Sequence, residues 1–258
     1  MRHVPRKRFG QNFLTDESVI AAIIAAIAPL PHDLLAEIGP GLGALTRPLA
    51  QALDHLHVIE IDRDIIAWLR TAFPAARVTV HEGDALEFDF AALGAPLRVV
   101  GNLPYNISTP LLFHLAQHAG SIRDIHAMLQ KEVVERMVAA PSTSEYGRLS
   151  VMLQYRFEME CMLEVPAAAF SPAPKVESAV VRMTPFARLP HPARDEAALG
   201  KIVAAAFSQR RKTLRNALRG YFGAADFERL GVDAGLRAQD LGVADFVRMA
   251  DAASRFSA

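Results

Sequence analysis

Leu34-Leu35-Ala36-Glu37-Ile38-Gly39-Pro40-Gly41-Leu42-Gly43 decides how this chain folds. Its first five residues, apolar apart from Glu37, read as a strand buried on both faces. The glycines mark a tight turn, and Ala44 to Leu53 continue with helical spacing. A glycine turn between strand and helix lets the backbone approach a ligand closely. The next strand, His57-Val58-Ile59, ends in Glu60, about twenty residues beyond Gly39, where a carboxylate can take ribose hydroxyls. The pattern marks an adenosine-containing cofactor without choosing one. Gly39, Gly41 and Ala44 also satisfy G-x-G-x-x-A, so a nicotinamide oxidoreductase stays open at this point. Further on, the alternating run Arg77 to Glu82 is broken by Gly83-Asp84-Ala85-Leu86. Asp84 is a candidate acceptor for the cofactor's adenine amine, although Asp is also an ordinary turn residue.

A second constellation follows the apolar run Leu97-Arg98-Val99-Val100-Gly101. There Asn102-Leu103-Pro104-Tyr105 presents an amide, a rigid proline and a ring where a strand ends, which is where ligands sit in open α/β sheets. Pro104 pushes Leu103 towards an extended conformation, so the Leu103 carbonyl is aimed. Two aimed acceptors beside a stacking ring suit the grip of an exocyclic amino group on a planar base. Such a nitrogen is a poor nucleophile because its lone pair is delocalised. Acceptors that hold its hydrogens out of the ring plane localise the pair, a stabilisation that belongs to the transition state. In-line placement of a methyl sulfonium would supply much of the rest. The same four residues also make an ordinary strand-to-loop turn.

The 258 residues suffice for a large domain with or without a smaller one, and 51% are hydrophobic, enough for a sizeable core. The longest apolar stretch, Val19 to Leu30, is too short and interrupted to span a bilayer. No secretory apolar core directly follows the basic N-terminus. Cys161 is the single cysteine, which excludes a disulfide framework and a cysteine-rich metal site and suits a reducing cytoplasm. His114 and His118 stand four apart on a helical stretch and His55 and His57 flank a strand, but neither pair has an evident third ligand, so no metal is expected. The 28 Lys and Arg balance 28 Asp and Glu, yet Arg6, Lys7 and Arg8 crowd the N-terminus, and Arg210, Arg211, Lys212, Arg215 and Arg219 crowd what reads as one late helix. Neutral overall charge with local cation clusters points to phosphate docking at defined places.

Strands are expected near 33–38, 56–60, 77–82, 97–101, 124–130, 156–165 and 176–184, alternating with helices in a largely parallel, doubly covered sheet. Between the last two strands, Phe170-Ser171-Pro172-Ala173-Pro174 is a stiff loop whose ring could stack on a base held by Tyr105 or anchor the loop in the core. After Pro185 the signals turn wholly helical, with Leu189-Pro190-His191-Pro192 as a linker. Residues 1–186 thus read as an α/β cofactor-binding domain and 187–258 as a small helical one.

With these residues in view, the chain resembles the bacterial small-subunit (16S) ribosomal RNA adenine dimethyltransferases nearly end to end. The likeness is carried by Arg8-Phe9-Gly10-Gln11-Asn12-Phe13-Leu14, by Glu37 to Gly43 and by Gly101-Asn102-Leu103-Pro104-Tyr105-Asn106-Ile107-Ser108-Thr109-Pro110. Further on it is carried by Met128 to Val133, Tyr146 to Val151, Phe170 to Val176 and Phe207 to Leu214. The resemblance implies a Rossmann-like class I methyltransferase sheet whose last strand is antiparallel, a helical C-terminal domain and S-adenosylmethionine as cofactor. It implies a substrate of two adjacent adenosines in the 3′-terminal hairpin loop of 16S rRNA, on an immature small ribosomal subunit, each dimethylated by a cytoplasmic monomer. By that likeness Asn12 and Leu14 close over the cofactor, which Gly39 and Gly41 line, Glu60 holds its ribose and Asp84 its adenine. Asn102, between cofactor and target, grips the target amine with Leu103, Pro104 and Tyr105, and Phe170 stacks. Arg6, Lys7, Arg8, Arg210, Arg211, Lys212 and Arg215 would dock RNA. A related enzyme acting on large-subunit rRNA shares the asparagine motif; the matches around Tyr146 and in the late basic segment favour the small subunit. A non-catalytic assembly factor with the same fold is the remaining alternative.

Overall fold

The computed structural model describes residues 12–253. Arg6, Lys7 and Arg8 lie outside the described residues. The chain forms two compact units, one of the described residues up to Val134 with Met159–Pro185, the other of Glu135–Glu158 with the described residues from Phe186 onwards.

In the first unit β1 (Phe13–Leu14) precedes α1 (Glu17–Ile27), β2 (Leu34–Ile38), α2 (Thr46–Ala52), β3 (Leu56–Glu60), α3 (Arg63–Ala72) and β4 (Val78–Glu82). Then come β5 (Leu97–Asn102), α4 (Ser108–Gln117), β6 (Ile122–Gln130) and α5 (Lys131–Val138), which leads out of the unit. The chain returns through β7 (Phe157–Val165), β8 (Phe170–Ser171) and β9 (Ser178–Pro185). One sheet has the order β4-β3-β2-β5-β6-β9-β7, and β1 pairs with β8 in a separate two-stranded ribbon. β2, β3, β4, β5 and β6 pair in parallel and β9 runs antiparallel to β6. The strand runs expected from continuous apolar sequence all form, because strands sandwiched between helix layers bury both faces: Leu35, Ala36, Leu56, Val58, Val99 and Val100 are each at most 1% exposed.

Register is what builds the site. Ile38 lies opposite both Ile59 and Gly101, and Glu60 lies opposite Glu82, so the carboxyl ends of four strands line up. The close pairing demands a glycine at 101, where a Cβ would stand 2.5 Å from the Ile38 carbonyl oxygen. At the opposite end of β5 the sheet is tied by ions. The guanidinium of Arg98, 4% exposed, donates from Nε to both oxygens of Asp124 at 3.0 Å, from Nη1 to Asp33 at 2.7 Å and from Nη2 to the Ile27 carbonyl at 2.6 Å. Burial pushes both aspartates up, but the hydrogen bonds they accept, those from Arg98 among them, outweigh it and leave both below the ordinary carboxylate value.

The second unit holds α6 (Arg148–Gln154), α7 (Glu196–Phe207), α8 (Leu214–Ala217), α9 (Ala224–Leu230) and α10 (Val243–Ala253). Its membership differs from a linear boundary at 186. Tyr146, Val151 and Tyr155 share a core with Leu199, Ile202 and Phe246, so Glu135–Glu158 belong with the helices. The basic cluster also differs from the single helix expected. α7 ends at Phe207, residues 208–212 turn, and Thr213 makes an isolated bridge to Arg237 before the short α8 starts. Arg210, Arg211 and Lys212 are exposed on that turn, Arg215 on α8 and Arg219 just beyond it. The Arg210 guanidinium donates to the carbonyls of Ser144 and Tyr146, so part of its role is to hold that loop.

Candidate active site

A cavity of about 580 Å³ opens at the carboxyl ends of β2, β3, β4 and β5. Asn12, Leu14, Gly39, Gly41, Glu60, Asp84, Asn102, Leu103, Pro104 and Tyr105 all line it. The structure therefore gathers around one space ten residues drawn from five separate stretches of sequence.

The floor is the glycine turn. Gly39 and Gly41 sit at φ +65° and +53°, where side chains are strained, and the Gly39 N–H donates to the Ile59 carbonyl at 3.0 Å. A Cβ on Gly41 would come within 3.1 Å of the Phe13 ring, so that ring rests directly on the turn. Glu60 ends β3 with Oε1 accepting from the Ile61 and Asp62 N–H groups, both at 2.9 Å. Burial pushes its carboxyl up, partly offset by those bonds and one from Gly41. Asp84 follows β4, with Oδ1 accepting from the Leu86 N–H at 2.9 Å.

Asn102 ends β5. Its Nδ2 donates to the Asn12 carbonyl at 3.0 Å. Leu103 is buried, 2% exposed, and its N–H donates to Met128 at 3.0 Å, which anchors the start of the turn on β6. The Ile107 N–H closes on the Pro104 carbonyl at 3.1 Å. The half-buried Tyr105 shares a 2.6 Å hydrogen bond between its hydroxyl and that of Ser178, which fixes the ring. Burial raises its phenol and the Ser178 bond partly offsets this.

Phe170 stands elsewhere. It is 4% exposed, belongs to the core cluster with Leu14, Ile23 and Met128, and is not among the described residues that line the cavity. In this structure the Phe170 ring therefore packs in the core beside the cavity. His114 spends Nε2 on the Phe88 carbonyl at 2.8 Å, and its ring stands edge-on to His118.

Sequence reasoning assigned no role to Glu37 or Arg47, both of which line the cavity. Glu37 is 2% exposed, with Oε2 lacking a hydrogen-bond partner among the described residues. Burial pushes its carboxyl up to about 8, with the neighbouring Glu60 adding to the rise and Thr46 opposing it. A lone charge inside an apolar strand run was the signal. Arg47 lies over the Trp68 and Phe73 rings at 5.4 and 5.9 Å, a placement with no sequence signature. Among the described residues, Glu17, Glu60 and Asp84 line the space against the cation Arg47, a balance that suits a positively charged cofactor.

Fold and site together define a Rossmann-like class I methyltransferase: a parallel sheet with an antiparallel β9, a glycine turn, an acid ending β3 and an Asn-Leu-Pro-Tyr turn ending β5. A solved dimethyladenosine transferase from Plasmodium falciparum shares this fold, with a TM-score of 0.78 at 24% identity over 92% of this chain and 95% of that one. The 23S rRNA methyltransferase ErmE matches with a TM-score of 0.73 at 25% identity, over 94% of this chain and all of that one (100%). The family described as Ribosomal RNA adenine dimethylase matches residues 2–255. The Ribosomal RNA small subunit methyltransferase A of Chromobacterium violaceum is 63% identical over 97% of this chain and 96% of its own length. That of Methylobacillus flagellatus is 61% identical over 97% and 98%. The chain belongs to the ribosomal RNA adenine dimethylase family, which sets aside the nicotinamide oxidoreductase that the glycine turn left open.

Proposed function

We propose that this enzyme dimethylates the exocyclic amines of two adjacent adenosines in the 3′-terminal hairpin loop of 16S rRNA, on an immature small ribosomal subunit in the cytoplasm, with S-adenosylmethionine as donor. The observation that carries the reading is the Asn102 to Tyr105 turn facing the same cavity as the glycine turn, Glu60 and Asp84. When bound, the cofactor supplies a methyl group on a cationic sulfur. Glu60 takes the ribose hydroxyls, Asp84 the adenine amine, and Gly39 and Gly41 give backbone access to the remainder. Asn12 and Leu14 close the space from above.

The chain's own part in the chemistry is to make an aromatic amine attack. Asn102 Oδ1 and the Leu103 carbonyl accept the two N–H bonds of the target amine and favour a pyramidal nitrogen, a geometry reached only as the bond forms. Tyr105 supplies a face for the base, with its ring fixed by Ser178. No strong base is needed, because the methylated ammonium is acidic and releases its proton readily. The base must leave its stack to reach this turn, which costs least for an unpaired loop nucleotide. Arg211, Lys212 and Arg215, exposed on the second unit, would take RNA phosphates, and Arg6, Lys7 and Arg8 are assigned the same task from sequence. Asn102→Ala should abolish methyl transfer to undermethylated small subunits while the affinity for S-adenosylhomocysteine, measured by calorimetry, stays within about threefold. Undiminished transfer by that variant would refute the role of Asn102. Tight subunit binding without any transfer by the native enzyme would favour the assembly-factor reading.

A further inference from the structure

Glu37 is a buried acid in the cavity wall that the chemistry above leaves unused. An apolar residue would fill this position of β2 at no electrostatic cost, whereas a hidden carboxyl is penalised for every polar atom left without a partner. Its Oε2 has no hydrogen-bond partner among the described residues. Its register partners, Val58 on β3 and Val100 on β5, are apolar. The groups that face it are the Thr46 hydroxyl from α2 and the Glu60 carboxyl from β3, and neither brings a positive charge. Glu17, Asp84, Tyr105 and Arg47 are the other titratable groups among the described residues that line the same space.

In the ligand-free protein burial holds this carboxyl near 8, so at pH 7 about nine molecules in ten carry its proton. A cation brought beside a buried carboxyl favours the ionised form, and at low dielectric a charge at close range offsets the cost of burial. A ligand that favours the ionised form must expel the proton. By the same linkage it must bind more tightly as the pH rises towards 8.

We infer that Glu37 couples donor binding to proton release: its carboxyl is protonated in the ligand-free protein and gives the proton to solvent when the cationic methionyl end of the donor enters the cavity. The balance is simple, since one O–H bond of Glu37 breaks and the proton passes to the buffer. A permanently ionised acid here would destabilise the ligand-free fold, and a permanently neutral one would offer a cation nothing. A group that titrates with occupancy avoids both. The inference rests on S-adenosylmethionine as donor and adds to that reading how the cavity adjusts its own charge.

The test is calorimetric titration of the full chain with S-adenosylmethionine and with 5′-methylthioadenosine, in buffers of different ionisation enthalpy, so that released protons are counted. Methylthioadenosine shares the adenosine and the sulfur but carries no cation, and it accounts for whatever Glu60 releases on meeting the ribose. With S-adenosylmethionine at pH 7, the native protein should release about 0.9 proton more than Glu37→Gln; with methylthioadenosine the two proteins should release the same number. Between pH 6.5 and 7.5 the ratio of native to variant affinity for S-adenosylmethionine should rise about eightfold. A merely structural Glu37 would weaken both ligands alike in the variant and move no protons. Equal proton counts for the two proteins with S-adenosylmethionine, or a flat affinity ratio, would overturn the inference and leave the donor reading intact. If the variant does not fold, the native protein decides alone: equal proton release on binding the two ligands would overturn the inference. Failure of the native protein to bind S-adenosylmethionine would overturn the donor reading and the inference with it.

Discussion

Replacing Glu37 by glutamine should stabilise the ligand-free protein, and by an amount that grows with pH. Glu37 lies 2% exposed next to the carboxyl end of β2, and its carboxyl is pushed from the ordinary 4.5 up to about 8 by burial. A group whose native pKa is raised binds its proton more tightly folded than unfolded. Between pH 4.5 and 8 the native state thus carries a proton that the unfolded chain has lost, and stability falls as pH rises through that window. At about 1.4 kcal/mol per pH unit, the accumulated penalty above pH 8 reaches roughly 5 kcal/mol as a ceiling. Glutamine keeps the shape and the neutral amide and never pays it. Urea unfolding at pH 5, 7 and 9 is the assay: the two proteins should be closely matched at pH 5, and the variant should lead by a few kcal/mol at pH 9. A gap that is the same at all three values would show that Glu37 does not titrate with folding, and the picture of a carboxyl sealed under the glycine turn would fail.

Arg98→Met should cost about 3–5 kcal/mol at neutral pH, because it strands Asp33 and Asp124 in the protein without their main cation. Both aspartates sit below their ordinary value when folded, so the stability they confer is full above about pH 4 and lost as pH falls through their native values; the variant's acid unfolding limb should be correspondingly flatter. Neutralising Arg211, Lys212 and Arg215 together should leave the melting temperature unchanged and weaken binding to small subunits, with the salt slope reduced by roughly 0.7–0.9 per lost phosphate contact. An unaltered slope would show these cations to be bystanders.

The sheet was legible because burial on both faces forces long apolar runs, and a run such as Leu97 to Gly101 has few other readings. The floor of the site was legible for a related reason: Gly39 and Gly41 occupy backbone conformations that other residues avoid, Glu60 ends one strand and Asp84 stands two residues beyond another. What escaped depends on contacts between distant segments. β1 and β8 have two residues each, too few for any periodicity, and Leu14 meets Phe170 only because the tertiary fold brings them together. Phe170 read from its own residues more readily as a core anchor, and its stacking role came from the family resemblance; its packing among Leu14, Ile23 and Met128 has no sequence signature. The spacing of Arg210 to Arg219 suits a helix, but Thr213 is drawn into a bridge with Arg237 and breaks it. Likewise Tyr146 and Tyr155 precede β7 yet pack with the late helices, which no linear boundary could express.

The central claim is tested most directly by locating the methyl groups. Undermethylated small subunits incubated with the enzyme and methyl-labelled S-adenosylmethionine, then digested and sequenced, should carry label as N6,N6-dimethyladenosine at two neighbouring positions of the 3′-terminal hairpin loop of 16S rRNA. Label confined to another nucleotide or another rRNA, or no label on subunits that the enzyme demonstrably binds, would contradict the account.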